Sequence, residues 1–161
     1  MEFSDDIGKL QRLMAASSAG IARRQAIMDN LVIKADDKII DIGCGGGYLL
    51  ELLAKSIGTK GRIYGLDPSE EQISQARLRC EEIENITLLH SSADQIDLED
   101  NTCDVVTSTQ TLKYIPDVDA ALSESTRVLK VSGELVNISI LWDNFRSVSY
   151  THLTLPTKRI V

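Results

Sequence analysis

Lys38 to Leu53, KIIDIGCGGGYLLELL, runs a β-branched segment into a loop with four glycines in five residues, and from there into helical spacing. Ile39, Ile40 and Ile42 read as a strand, and Leu49, Leu52 and Leu53 put an apolar face on a helix over about 48–57 that stops at Gly58. Strand, glycine turn and helix in that order open a βαβ unit.

The alternation continues along the chain. RIYGLD (62–67), ITLLHS (86–91), DVVTST (104–109) and ELVNISIL (134–141) are further strands, rich in Ile, Val, Leu and Thr. Ile73, Ala76, Cys80 and Ile83 mark the buried stripe of a helix over about 70–84, and Ser69 and Gln72 form a capping box at its start. Asp117 caps a helix that ends near Lys130, and residues 7–31 have helical character. With no repeat and no linker, this pattern implies one α/β domain: a mostly parallel sheet with helices on both faces.

Ligands of such sheets bind beyond the carboxyl ends of the strands, where the strand order reverses, so the loop 43–47 is the place to look. Glycines there admit backbone angles barred to other residues and let a ligand approach the main chain, beside the free N–H groups that open the next helix. The pattern is G-x-G-x-G. A dinucleotide fingerprint would put its third glycine at Tyr48, and a P-loop needs a Gly-Lys-Ser/Thr that is missing. Asp67 closes the second strand 20 residues after Gly47, where a carboxylate accepts hydrogen bonds from both hydroxyls of a ribose and repels a 2′-phosphate. A plain tight turn and a helix-capping Asp are the alternatives; their occurrence together at this spacing favours a nucleoside site.

Composition narrows the partners. At 161 residues, 43% hydrophobic and 25% charged, the chain is one globular domain. Its 17 Lys and Arg against 24 Asp and Glu, net −7, argue against nucleic acid or an anionic membrane surface. No apolar run reaches transmembrane length and the N-terminus is unlike a signal peptide, so a cytoplasmic protein without membrane insertion is expected. Cys44, Cys80 and Cys103 are odd in number and contain no CxxC pair, so neither a disulfide framework nor a metal site is expected. Cys80 and Cys103 read most simply as small buried apolar residues.

Taken together, IIDIGCGGG, IYGLDPSEEQI, SSADQIDLEDNTCDVV and TLKYIPDVDAALSESTRVLKVSGELV, in this order over about residues 20–144, resemble the class I S-adenosylmethionine-dependent methyltransferases. Within them they resemble the small-molecule group called type 11, which includes quinone- and sterol-methylating enzymes. The resemblance implies a Rossmann-like methyltransferase fold and S-adenosyl-L-methionine as cofactor. It implies that Asp41 reads the methionine ammonium, directly or through water, and that Gly43, Cys44, Gly45 and Gly47 line the methionine and ribose with backbone atoms. Asp67 would hold the ribose hydroxyls, Pro68 and Ile73 would pack near the adenine, Asp94 would accept from its amino group, and Ala93 would support the ring through its backbone. Thr109 and Gln110, at the end of the fourth strand, would lie beside the methyl donor and face the acceptor. An ordinary loop acid at Asp94 and a mere capping residue at Gln72 are the plainer readings.

A methyl group on a sulfonium is already activated, so transfer to a small-molecule acceptor is an in-line displacement in which the protein chiefly aligns the reactants. No metal is required and no convincing general base is present: His90 lies in a strand, where a buried structural role serves as well. Tyr114 is a candidate acceptor contact, with aromatic packing as its simpler reading.

The resemblance breaks off at the C-terminus. Methyltransferases of this class follow the fifth strand with a helix and an antiparallel strand pair that help wall the acceptor pocket. This chain is expected to be truncated after the fifth strand, leaving 134–141 as an unpaired edge. VSYTHLTLPTKRIV has no helical pattern and resembles the translation of a sequencing-library adaptor. Residues 1–147 are therefore expected to be the methyltransferase domain, and 148–161 a non-native, poorly ordered tail in which Pro156 would end any strand. Two other functions stay open: an arsenite methyltransferase, whose thiol pattern only Cys44 matches, and a non-catalytic protein that binds the cofactor or another nucleotide without turnover. The residues name neither the acceptor nor the oligomeric state.

Overall fold

The computed structural model describes residues 5–141, 146–149 and 159–160, with side chains over 8–139. Five parallel strands, β1 (Lys38–Ile42), β2 (Arg62–Asp67), β3 (Ile86–His90), β4 (Cys103–Thr109) and β5 (Leu129–Leu141), lie in the spatial order 3-2-1-4-5. Helices α1 (Asp5–Ala16) and α2 (Ser18–Asn30) precede β1, and α3 (Tyr48–Ser56), α4 (Glu70–Arg79) and α5 (Val118–Val128) follow β1, β2 and β4. This is the Rossmann-like methyltransferase arrangement. The chain leaves β1 in one direction and returns to its other side at β4, so the order reverses between them and the glycine loop opens at that crevice.

β1 is apolar throughout because both its faces are covered. Ile39 packs with Leu49, Leu50, Leu53, Ile63, Val105 and Val136, while Ile40 and Ile42 pack on the other face with Leu66, Val106, Ala121, Val128 and Leu135. On α3 it is Leu50, not Leu52, that joins Leu49 and Leu53 inside. Ser69 caps α4 by accepting from the Gln72 N–H at 3.4 Å, and Glu70 and Glu71 at its start with Arg77 and Arg79 at its end match the helix dipole. Only half of the expected capping box forms, because the Gln72 amide donates to Gln11 Oε1 on α1 at 2.9 Å instead of returning to Ser69.

Two further boundaries differ from expectation. The region 7–31 is two helices, broken where the Ser17 hydroxyl caps α2 by accepting from Gly20 N–H at 3.3 Å. α5 stops at Val128, since Leu129 already pairs with Cys103; the register then shifts, and Val105 pairs with Glu134. Asp117 caps α5 as read, accepting from Ala120 N–H at 2.9 Å.

The edge expected to be bare is not. β6 (Arg146–Ser149) runs antiparallel to β5, with Ile138 opposite Ser149 and Leu141 opposite Arg146, and β7 (Arg159–Ile160) pairs in parallel with Glu134 and Leu135. A strand edge offers a ready row of donors and acceptors, and these segments supply its partners. Val148 and Ser149, counted above with the non-native tail, belong to β6; residues 150–158 and 161 of that tail lie outside the described residues. Among the described residues no helix is long and apolar enough to cross a membrane.

Candidate functional site

The three glycines of G-x-G-x-G are the three left-handed positions of the loop: Gly43 at φ 75°, Gly45 at 52° and Gly47 at 80°. Their surroundings differ. A Cβ on Gly43 would collide with the Thr111 side chain, and one on Gly47 would lie 3.2 Å from Ala76 and from Cys80 Sγ. Over Gly45 it would meet only Gln72 Oε1, at 3.9 Å, so here the missing side chain leaves room for a ligand against the main chain.

Four of the five loop amides are committed inside the protein. Gly43 and Cys44 both donate to Leu66 O, at 2.7 and 2.9 Å, Gly45 to Asp67 Oδ2 at 2.9 Å, and Gly47 to Cys44 O at 3.1 Å. A phosphate cradle needs such N–H groups to converge on the ligand. This loop instead presents backbone carbonyls and Cα surface.

Two buried carboxyls stand beside it. Asp41 Oδ1 accepts from the Thr107 hydroxyl at 2.9 Å. Burial pushes the Asp41 carboxyl up to about 7, with the Thr107 hydrogen bond opposing and the Asp67 charge adding to the rise. Asp67 accepts from Ser69 N–H and Gly45 N–H, both at 2.9 Å; burial raises its pKa against these two bonds. Asp67 thus fastens the glycine loop to the turn into α4, and each of its oxygens keeps a lone pair for a hydroxyl. Two desolvated carboxyls held by a hydroxyl and two amides suit a ligand that carries positive charge and hydroxyls. S-adenosylmethionine, with its sulfonium, ammonium and ribose, fits that description.

The remaining candidates are distributed around this centre. Pro68 is exposed, and Ile73 lies in the core with Cys44 and Leu50, beneath the loop. Buried Ala93 and exposed Asp94 follow β3; Asp94 accepts from the Ser92 hydroxyl and lines an open recess of about 510 Å³ with Gln95, Asp97 and Glu124. Thr109 ends β4 and Gln110 follows it. Gln110 is held at φ 63°, a strained angle for a residue with a side chain, while its N–H donates to Ile138 O at 2.8 Å. Thr109 Oγ1, Gln110 Nε2 and, nearby on β4 and β5, Ser108 Oγ and Asn137 Oδ1 are buried without partners.

Two side-chain readings are corrected. His90 is not buried: its ring bridges Pro68 O and Glu70 Oε2, each at 3.0 Å, on the surface at the end of an edge strand. Tyr114 does not pack; it is 54% exposed, with the Lys113 ammonium 4.9 Å from its ring centre. The three cysteines are free, buried thiols, Cys44 and Cys80 in one core cluster and Cys103 in the other, across the sheet. Among the described residues no group of three His, Cys, Asp or Glu side chains is placed to hold a metal.

Several residues that shape the site carry no motif. Thr107 fixes Asp41, and Thr111 fills the space that Gly43 leaves. Arg79 Nε donates to Gly46 O at 2.8 Å while its guanidinium stacks 3.6 Å over the Tyr48 ring. Arg127 binds both Glu124 oxygens at 2.6 and 2.8 Å, Asp100 at 2.8 Å, and the Leu98 and Ile96 carbonyls, so the turn that carries Ala93 and Asp94 is fastened to α5. The Arg127 hydrogen bonds hold the Glu124 carboxyl down to about 2. The Glu124–Arg127 spacing of three was a readable helix pair; Arg79 and Thr111 act across the fold and left no local signal.

The family model of the methyltransferase domain (Methyltransf_11) matches residues 40–137. A demethylmenaquinone methyltransferase of Staphylococcus aureus is 34% identical over 113 residues, 70% of this chain and 47% of that protein. An uncharacterised 37.1 kDa protein of a Streptomyces fradiae transposon is 31% identical over 149 residues, 92% of this chain and 43% of that one. The chain therefore spans less than half the length of these curated relatives. A SAM-dependent methyltransferase from Aquifex aeolicus superposes with a TM-score of 0.75 at 25% identity, over 86% of this chain and 73% of that one. Sequence family, fold and the order of glycines and acids agree: the chain belongs to the class I S-adenosylmethionine-dependent methyltransferases, in the type 11 group.

Proposed function

We propose that this protein binds S-adenosyl-L-methionine at the carboxyl ends of β1, β2 and β4 and transfers its methyl group to a small-molecule acceptor. The observation that carries this reading is the open backbone over Gly45 beside the buried carboxyls of Asp41 and Asp67, in a loop four of whose five amides are engaged within the protein. Asp41 takes the ammonium, Asp67 the ribose hydroxyls, and Gly43, Cys44, Gly45 and Gly47 the methionine and ribose through main-chain atoms. Pro68, Ala93 and Asp94 stand on the adenine side, with Ile73 supporting the loop from below. When bound, the cofactor supplies a methyl group activated on sulfur. Thr109 and Gln110, with their unpartnered polar atoms, face the acceptor, and the rigid strand ends align it with the methyl carbon. A small acceptor is supported by the relative named for demethylmenaquinone. Arsenite is disfavoured, because Cys103 is separated from Cys44 and Cys80 by the sheet.

Calorimetry with S-adenosylmethionine, S-adenosylhomocysteine and NAD tests the reading. The first two should bind and NAD should not; NAD binding as tight or tighter would overturn it.

A further inference from the structure

His90 ends the edge strand β3, and its register partner in β2 is Asp67. Its Nε2 lies 3.0 Å from Pro68 O and its Nδ1 3.0 Å from Glu70 Oε2, so the ring spans the turn from β2 into α4 with Ser69 between its two contacts. The Ser69 N–H is one of the two donors that hold Asp67, 2.9 Å from Oδ1. The turn under the ring is thus the one that orients the carboxylate read as the ribose ligand.

Both atoms that the ring faces are acceptors. A backbone carbonyl and a carboxylate have no proton to give, so each contact needs an N–H on the imidazole. The neutral ring has one and the imidazolium has two. The uncharged ring therefore satisfies one contact and sets a lone pair against the other acceptor, while the charged ring closes both. Histidine is the side chain that makes this change between about pH 5 and 8. The charged groups that face the ring are Glu70 on α4 and Asp67 on β2, both acids. β3 has no other titratable residue, and Glu71 is turned to Arg12. Arg62 lies at the far end of β2, and Arg77 and Arg79 at the far end of α4. The His90 and Glu70 side chains are half exposed or more, so protons reach the ring from solvent.

We propose that His90 is a proton-operated latch on residues 68–70: the charged ring closes the turn around Ser69, fixes Asp67 for a nucleoside, and makes nucleoside binding tighter at mildly acidic pH. The identity of the ligand rests on the S-adenosylmethionine reading. An ion pair at the surface is worth little, so the latch changes affinity a few-fold and is not a gate.

The probe is 5′-methylthioadenosine, which has the nucleoside that Asp67 would hold and lacks the amino-acid end that Asp41 would read. Its affinity is measured at pH 6 and pH 8 for the wild type and for His90→Gln, whose side chain is uncharged at both. The Asp41 carboxyl, which sits near 7, changes charge over this range in both proteins and cancels in the comparison. His90→Gln should bind about threefold more weakly than the wild type at pH 6 and within about 1.5-fold of it at pH 8. Glu70→Gln should show the same loss confined to pH 6, and the double variant should lose no more than either single one. Without ligand, solvent exchange at the Ser69 amide should be faster in His90→Gln than in the wild type at pH 6 only. An equal loss of affinity at both pH values would make the ring a structural prop and overturn the latch, as would no loss at pH 6 or a Ser69 amide that His90→Gln leaves unmoved. Wild-type protein that binds no nucleoside would defeat the cofactor reading, and the Ser69 exchange would then pass or fail the latch by itself.

Discussion

Asp41 is where burial and charge compete most directly. Its carboxyl titrates near 7 in the folded protein against an ordinary 3.8, so the folded state holds a proton that the unfolded chain gives up. The stability associated with that proton is complete below about pH 4, falls as the pH rises toward 7, and is flat above. Asp41→Asn cannot ionise, so its stability relative to the parent should rise by on the order of 3 kcal/mol between pH 4 and 8. Urea melts of both proteins at pH 4, 6 and 8 would show it, and parallel pH profiles would refute it. Gly43→Ala should lose about 3 kcal/mol, about 1–2 from the left-handed backbone and the rest from Thr111. Adding Thr111→Gly should restore the steric part alone, as a double-mutant cycle would measure. Asp41, Asp67 and the glycines were legible as residues because motif and spacing mark them. Their partners were not: Thr107 and Thr111 are ordinary strand and loop threonines until the sheet sets them beside Asp41 and Gly43.

Caps made the helices readable, and pairing made their ends hard to place. Ser69 and Asp117 start their helices as their side chains dictate, whereas α5 ends early because Leu129 has a strand partner in Cys103, a cause that lies 26 residues away. The turn after β3 shows the same dependence on distant residues. Its hold on α5 through Arg127 should make Arg127→Ala cost on the order of 2–3 kcal/mol and raise exchange at the Ile96 and Leu98 amides before global unfolding, as hydrogen exchange would record. The Glu124 carboxyl, held down to about 2 from 4.5, contributes stability that is present above about pH 4.5 and lost as the pH falls toward 2. Arg127→Ala should remove most of that acid sensitivity, leaving the part that comes from the Ile96 N–H bond to Glu124.

The whole sheet was the most legible level, since alternating apolar runs and capped helices admit few arrangements other than a parallel one. Its far edge was the exception, because β6 and β7 lie in residues without strong strand or helix patterning. The core also shields all three thiols. Burial pushes the Cys103 thiol up to about 12 and those of Cys44 and Cys80 above their ordinary value. In native protein at pH 8 alkylation should therefore be slow at all three and should rise sharply across the denaturant transition; rapid labelling of Cys103 in folded protein would contradict the packing. The hydrogen bond from Thr107 to Asp41 joins residues 66 positions apart, and it has a consequence in time. β1 meets β2 over a short detour of chain, but its other neighbour, β4, arrives only after a long loop has closed, the slow kind of contact in folding. The crevice between β1 and β4, where the cofactor is proposed to bind, is therefore a late product of folding. A fragment of residues 1–100 carries every glycine of the loop, Asp67 and the turn of Ala93 and Asp94, and should bind no cofactor at all.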